Sequence, residues 1–310
     1  MSRFSLALVL LCITATCGQA GEERSVLVGD AARTYLAHNL EKGAAAPRPL
    51  IVALHGYRRE GDAVRSEHGL VEVYWRGLDT RATEEGWGVV YPYAVNGQWN
   101  LFRDKPLSAW DGASSPDDIA FLRALVARYV DAGVVDANRV YLTGFSDGAI
   151  MSYRALCAGL DMFAAAAPIS GTMTQTDHDD CAPSAFVPLM SVFGTDDTTL
   201  PFDGWLFTHD REISVAEVFE LWRREMACKR QKSFRLHQAD KNARSRVRAV
   251  SWTGCRVDNA LKLYRVEGGG HQTPSRTPFS KDYMKRFGER NADIETAQVV
   301  MNFFRRFRKE

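Results

Sequence analysis

The run Arg139-Val-Tyr-Leu-Thr-Gly-Phe-Ser-Asp-Gly-Ala-Ile-Met-Ser-Tyr153 constrains the fold of this chain more than any other stretch. Residues 140–143 are β-branched and apolar and read as a buried strand. Residues 149–156 carry apolar side chains at helical spacing. Between them, Gly144-Phe-Ser-Asp-Gly148 fits G-x-S-x-G. A strand that turns at once into a helix strains the residue at the corner, and small residues two positions either side let the backbones pass. Such a corner lifts Ser146 Oγ out of a sheet, with a helix N-terminus behind it. The bare five-residue pattern is common, but inside a strand–turn–helix it is specific.

Strand and helix signals alternate on both sides of this corner. Strands are expected over residues 24–28, 33–39, 50–54, 88–91, 163–169, 187–193 and 261–266, with a hairpin from 233–238 and 247–252. Helices are expected over 71–85, after Ser115-Pro-Asp-Asp118 with Ser115 as cap, over 214–226 and over 293–308. The alternation argues for an α/β fold: a mainly parallel sheet with helices on both faces. The 310 residues suffice for one such domain. It is expected over residues 21–310, because residues 1–20 read as a secretory signal. Arg3 is the basic start, residues 6–13 form an apolar stretch too short to span a bilayer, and Gly18-Gln-Ala20 is a small-x-small cleavage site. The expected location is therefore secreted or periplasmic, with no membrane insertion. Formal net charge is +1, and Arg3 is the sole charge before Gly21. A near-neutral mature chain gives no reason to expect nucleic acid as a partner.

Six cysteines are present; Cys12 and Cys17 fall in the leader, and Cys157, Cys181, Cys228 and Cys255 remain. An even count in an exported chain suggests two disulfides, with three pairings open. No cysteine spacing fits a zinc site, and nothing calls for another metal or a redox cofactor.

A serine hydroxyl needs a general base to act as a nucleophile, and the base needs an orienting acid. On this architecture the order is serine, acid, histidine, each just beyond the carboxyl end of a strand. His271 follows the last strand through three glycines, whereas His178, His209 and His237 lack that context. For the acid, Asp196 and Asp197 both follow a strand; the spacing to Gly194 and Pro201 favours Asp197, with Asp203 the outsider. An oxyanion hole needs two backbone N–H groups, expected from Asp147, directly after the serine, and from Tyr57, after the 50–54 strand.

Leu54-His-Gly56, Trp99-Asn100, Asp117-Asp-Ile-Ala-Phe121, the serine motif, Gly194-Thr-Asp-Asp197 with Pro201-Phe-Asp-Gly204, and Glu267-Gly-Gly-Gly-His271 occur in that order. The set resembles the secreted polyhydroxybutyrate depolymerase and feruloyl esterase family of α/β-hydrolases. The resemblance implies Ser146, Asp197 and His271 as the triad of an ester hydrolase working through an acyl-enzyme. It implies disulfides Cys157–Cys181 and Cys228–Cys255, and substrate contacts from His55, Trp99 and Asn100. The chain departs from the family at Asp147, where Asn is usual, at Tyr57, where Cys is frequent, and at Gln272-Thr-Pro274, where a Trp often follows the histidine. The reaction class therefore transfers better than the substrate.

The expected partner is a small or oligomeric ester, met by a monomer. The long stretch 92–111 carries Trp99 and Trp110, aromatic walls suited to a flat or short acyl group, such as a hydroxycinnamoyl or hydroxyalkanoate ester. Two alternatives compete: a serine peptidase of the same fold, and a non-catalytic ligand-binding member. The short stretch ahead of residue 50 speaks against the first, and the three filled triad positions against the second. Two basic clusters are read as solvated faces: residues 229–248 on the hairpin, and the arginines of Phe303-Phe-Arg-Arg-Phe-Arg308.

Overall fold

The computed structural model describes residues 21–41, 43, 46–57, 77–101, 116–182, 184, 186–206, 210–277 and 281–310. The leader, the first part of the 71–85 helix, Trp110 with most of its loop, Ser115 and His209 lie outside the described residues.

The elements run in the order β1 (Glu22–Val28), β2 (Ala31–His38), β3 (Arg48–Leu54), α1 (Leu78–Glu84), β4 (Gly88–Pro92), α2 (Asp118–Asp131), β5 (Val135–Phe145) and α3 (Asp147–Cys157). There follow β6 (Ala165–Ile169), α4 (Gln175–Asp179), β7 (Leu189–Gly194), the short ribbon β8 (Trp205–Leu206) and β9 (Arg211–Glu212), and α5 (Val215–Glu225). The hairpin β10 (Arg230–Arg235) and β11 (Arg246–Thr253), then β12 (Leu261–Glu267), α6 (Lys281–Phe287) and α7 (Thr296–Phe304) follow among the described residues.

Ten of these strands form one sheet in the order β1-β2-β4-β3-β5-β6-β7-β12-β11-β10. The run from β4 to β12 is parallel, and antiparallel strands flank it on both sides. Strands covered on both faces can be apolar at every position. In β3, Leu50, Val52 and Leu54 enter one core cluster, while Ile51 and Ala53 enter the other. Helices α2, α3 and α5 cover the first face, and α1 and α7 the second. On the second face Tyr141 is stacked between Trp87, at 5.3 Å, and Phe304, at 4.8 Å. That stack docks α7, which buries Phe303 and Phe304 and turns Arg305 and Arg306 to solvent, as the sequence pattern predicts. Hairpin strand β10 is exposed along its whole length, consistent with a solvated basic face.

Three local expectations change. The cap of α2 is Asp117, whose carboxylate accepts from Ala120 N–H at 2.8 Å. Pro116 therefore precedes the cap instead of opening the helix. Strand β5 begins at Val135, ahead of the expected start, with an irregularity where pairing jumps from Arg48–Val135 to Leu50–Val140. Three elements, α4, α6 and the β8–β9 ribbon, had no counterpart in the sequence reading; each is short, and periodicity needs length to register. Helix α5 opens with a capping box: Ser214 Oγ accepts from Glu217 N–H while the Glu217 carboxylate accepts from Ser214 N–H.

Candidate active site

The parallel strands β3, β5, β6, β7 and β12 end on one edge of the sheet, where open α/β sheets place their sites. Ser146 sits at the corner between β5 and α3, with φ 57° and ψ −123°. The glycines around it are obligatory. A Cβ on Gly144 would lie 2.0 Å from Gly148 O, and one on Gly148 would lie 2.4 Å from Leu54 O. The strand, the helix and the end of β3 thus touch backbone to backbone, and any side chain would push them apart.

Asp197 follows β7. Its Oδ1 accepts from the N–H groups of Thr199 and Leu200, both at 2.9 Å, and its Oδ2 lies 2.6 Å from His271 Nδ1. His271 Nε2 lies 2.9 Å from Ser146 Oγ. With Nδ1–H donating to the carboxylate, Nε2 is free to accept from the serine hydroxyl. All three are buried, at 7, 4 and 3% exposure for Ser146, Asp197 and His271. Asp196 is exposed and accepts from Thr195 Oγ1, and Asp203 is also exposed, so neither approaches the histidine. The glycine run before His271 threads a narrow gap. A Cβ on Gly194 would lie 2.2 Å from Gly269 O, and one on Gly270 would lie 2.2 Å from Phe287 O. His271 N–H donates to Phe287 O at 2.7 Å, and the imidazole packs against Phe145 and Phe287. Helix α6, unforeseen in the sequence, is therefore what holds the histidine.

The other assigned residues divide. Asp147 opens α3, where first-turn N–H groups have no partner within the helix. Gly56 lies against Ser146, so Tyr57 follows directly at the edge of the site, with its side chain 48% exposed. His55 and Trp99, each 1% exposed, are bonded to the loop around them. Ala94 N–H donates to His55 Nε2 at 3.1 Å, His55 Nδ1–H donates to Gly56 O at 2.6 Å, and Trp99 Nε1–H donates to His55 O at 2.8 Å. Trp99, expected with Trp110 to wall the pocket, is instead buried, and together with His55 it braces the segment that carries Tyr57. Asn100 donates its backbone N–H to Asp118 Oδ2 at 2.7 Å. The disulfides Cys157–Cys181 and Cys228–Cys255 are both formed.

Two acids near the serine are electrostatically unusual. Asp147 is half-buried, and burial pushes its carboxyl up to about 6, against the pull of His271. Burial likewise pushes Glu212 up to about 7, opposed by the Thr172 hydrogen bond and reinforced by Asp147 and Asp197. The sequence reading passed over Glu212, since a single Glu between loops carries no pattern. Among the described residues no cluster of His, Cys, Asp and Glu is arranged to hold a metal, and no helix is long and apolar enough to cross a membrane.

Sheet order, strand–corner–helix geometry and the ends of the parallel strands define an α/β-hydrolase fold. The chain superimposes on a thermostable esterase with a TM-score of 0.55 at 15% identity, covering 94% of this chain and 64% of that one. It matches the acetyl xylan esterase of Aspergillus awamori with a TM-score of 0.53 at 17% identity, covering 86% of this chain and 98% of that one. Within this fold, its sequence relatives are named as esterases. It is 28% identical over 307 residues to "Putative esterase NocK" of Nocardia uniformis, covering 90% of this chain and 81% of that protein. It is 25% identical over 227 residues to the bifunctional acetylxylan esterase/xylanase XynS20E of Neocallimastix patriciarum, and 30% identical over 159 residues to feruloyl esterase C of Emericella nidulans. Those two matches cover 73 and 51% of this chain, but only 29 and 52% of the relatives' own lengths. No family model matches the chain.

Proposed function

We propose that the protein is an exported carboxylic ester hydrolase in which Ser146, His271 and Asp197 act through an acyl-enzyme. The observation that carries this reading is the hydrogen-bonded line from Asp197 through His271 to Ser146, at 2.6 and 2.9 Å, set on the strand-end edge of the sheet. Ser146 Oγ attacks the ester carbonyl carbon while its proton passes to His271 Nε2. The negative charge on the carbonyl oxygen is met by the N–H groups of Tyr57 and Asp147. The alcohol leaves with the proton from His271, and the acyl group remains on Ser146. Water then attacks with His271 again as base, and the acid departs as Ser146 recovers its proton.

The relatives' names support acetyl and feruloyl esters as the substrate class, and the motif resemblance adds short hydroxyalkanoate esters. Export is supported by the leader-like residues 1–20 and by the two disulfides. An ester panel tests the whole reading: methyl ferulate, acetylated xylan, hydroxybutyrate oligomers and p-nitrophenyl esters of rising chain length. Turnover of short or aromatic esters, lost in Ser146→Ala without loss of folding, is the expected result. Preference for long-chain lipids, or activity that survives Ser146→Ala, would overturn it.

A further inference from the structure

Glu212 is a buried acid that the proposed reaction does not use. It lies on β9, is 1% exposed and takes part in no ion pair among the described residues. Its Oε1 accepts from Thr172 N–H at 2.6 Å, while Oε2 is buried with no hydrogen-bond partner. The segment it holds, residues 170–174, leaves the end of β6 beside the nucleophile. A Cβ on Gly171 would lie 2.7 Å from Ser146 O and 2.9 Å from Ala149 Cβ. Ile213 N–H donates to Met173 O at 3.0 Å, Thr172 Oγ1 donates to Ile213 O, and Thr174 forms a bridge with Glu212. The ribbon and the segment are therefore stitched together, with the Glu212 carboxyl as the one ionisable group among the stitches.

We propose that Glu212 is a positioning residue for Ser146: its carboxyl fixes segment 170–174 against the nucleophile's own peptide and the first turn of α3. This inference rests on Ser146 being the nucleophile. It works as a neutral acid. An ionised carboxylate there would leave one oxygen desolvated and unpaired, which is costly. The groups around it offer no relief. Asp147 and Tyr153 come from α3 and Asp197 from the segment after β7; both aspartates oppose its charge. Asp177 on α4, packed against β9, is itself a buried acid. Arg211, the neighbouring cation on β9, is turned outward onto Glu217.

The test is the rate at which a fluorophosphonate labels Ser146, measured from pH 5.5 to 8.5 in the wild-type protein, Glu212→Gln and Glu212→Leu. This readout needs no knowledge of the natural ester. Gln keeps the acceptor for Thr172 N–H and cannot ionise; Leu removes the acceptor. Glu212→Gln is expected to match wild type within about twofold at pH 5.5. Its advantage should then grow to several-fold by pH 8.5, as the wild-type carboxyl ionises. Glu212→Leu is expected to label about tenfold more slowly at pH 5.5, the loss of one hydrogen bond in the support of the nucleophile. A Gln-to-wild-type ratio that stays flat with pH, or a Leu variant that labels like wild type, would overturn the inference. If Glu212→Leu does not fold, the pH dependence of the Gln ratio decides alone. No labelling of wild-type Ser146 at any pH would instead overturn the nucleophile assignment.

Discussion

Asp197 reaches His271 while Asp196 turns to solvent, and the difference comes from the two amides at Thr199 and Leu200 that hold the Asp197 carboxylate. An oxygen held by two N–H groups cannot swing away, so the other is left fixed for the imidazole. Asp197→Asn should lower kcat by roughly three to four orders of magnitude, because the amide favours the wrong imidazole tautomer. Asp196→Asn should stay within about twofold of wild type. Kinetics on any turned-over ester check the ranking, and a reversed order would move the acid to Asp196. The sequence allowed both residues as strand-end acids. It favoured Asp197 by spacing to Gly194 and Pro201, not by chemistry, because the choice is made by backbone amides that every residue type possesses.

Between elements, the buried pair Arg33–Asp118 joins β2 to α2 at 2.7 Å, and Asp118 also holds Asn100 N–H. Burial raises the Asp118 carboxyl above the usual carboxylate range, outweighing the opposing pull of Arg33. Arg33 also lies over the Phe121 ring at 4.3 Å, which anchors its guanidinium to α2. Removing one partner of a buried pair strands the other. Arg33→Ala is expected to cost about 3–5 kcal/mol in denaturant unfolding at pH 8. The cost should shrink as pH falls and Asp118, left without its cation, takes a proton; a cost independent of pH would mean that packing, not charge, carries the effect. The same pair explains why the sequence misplaced the start of α2. Ser115-Pro116 reads as cap and first position, but Asp118 is drawn inward to Arg33 and Asp117 takes the cap.

For the whole molecule, the buried acids set the pH dependence of stability. Glu212 titrates near 7 in the folded protein against a reference of 4.5. Between those values the folded state keeps a proton that the unfolded state releases, so the stabilisation present below pH 4.5 is lost as pH rises through 7. For Glu212 this difference is at most roughly 3 kcal/mol. Thermal melts of Glu212→Gln should therefore exceed wild type at pH 8 and converge with it at pH 4; a constant offset would refute the linkage. Much of the architecture was legible in the chain: both-face burial of β3, the corner at Ser146 and the strand-end positions of Asp197 and His271 are local patterns of size, shape and spacing. The glycines marked where backbones would meet, although not which ones. What the sequence could not carry is the identity of partners distant in the chain. Helix α6 seating His271, the burial of His55 and Trp99, and the enclosure of Glu212 against the 170–174 segment all arise from segments brought together only by the sheet. A side chain's exposure and charge state depend on those neighbours, so tertiary structure alone decides them.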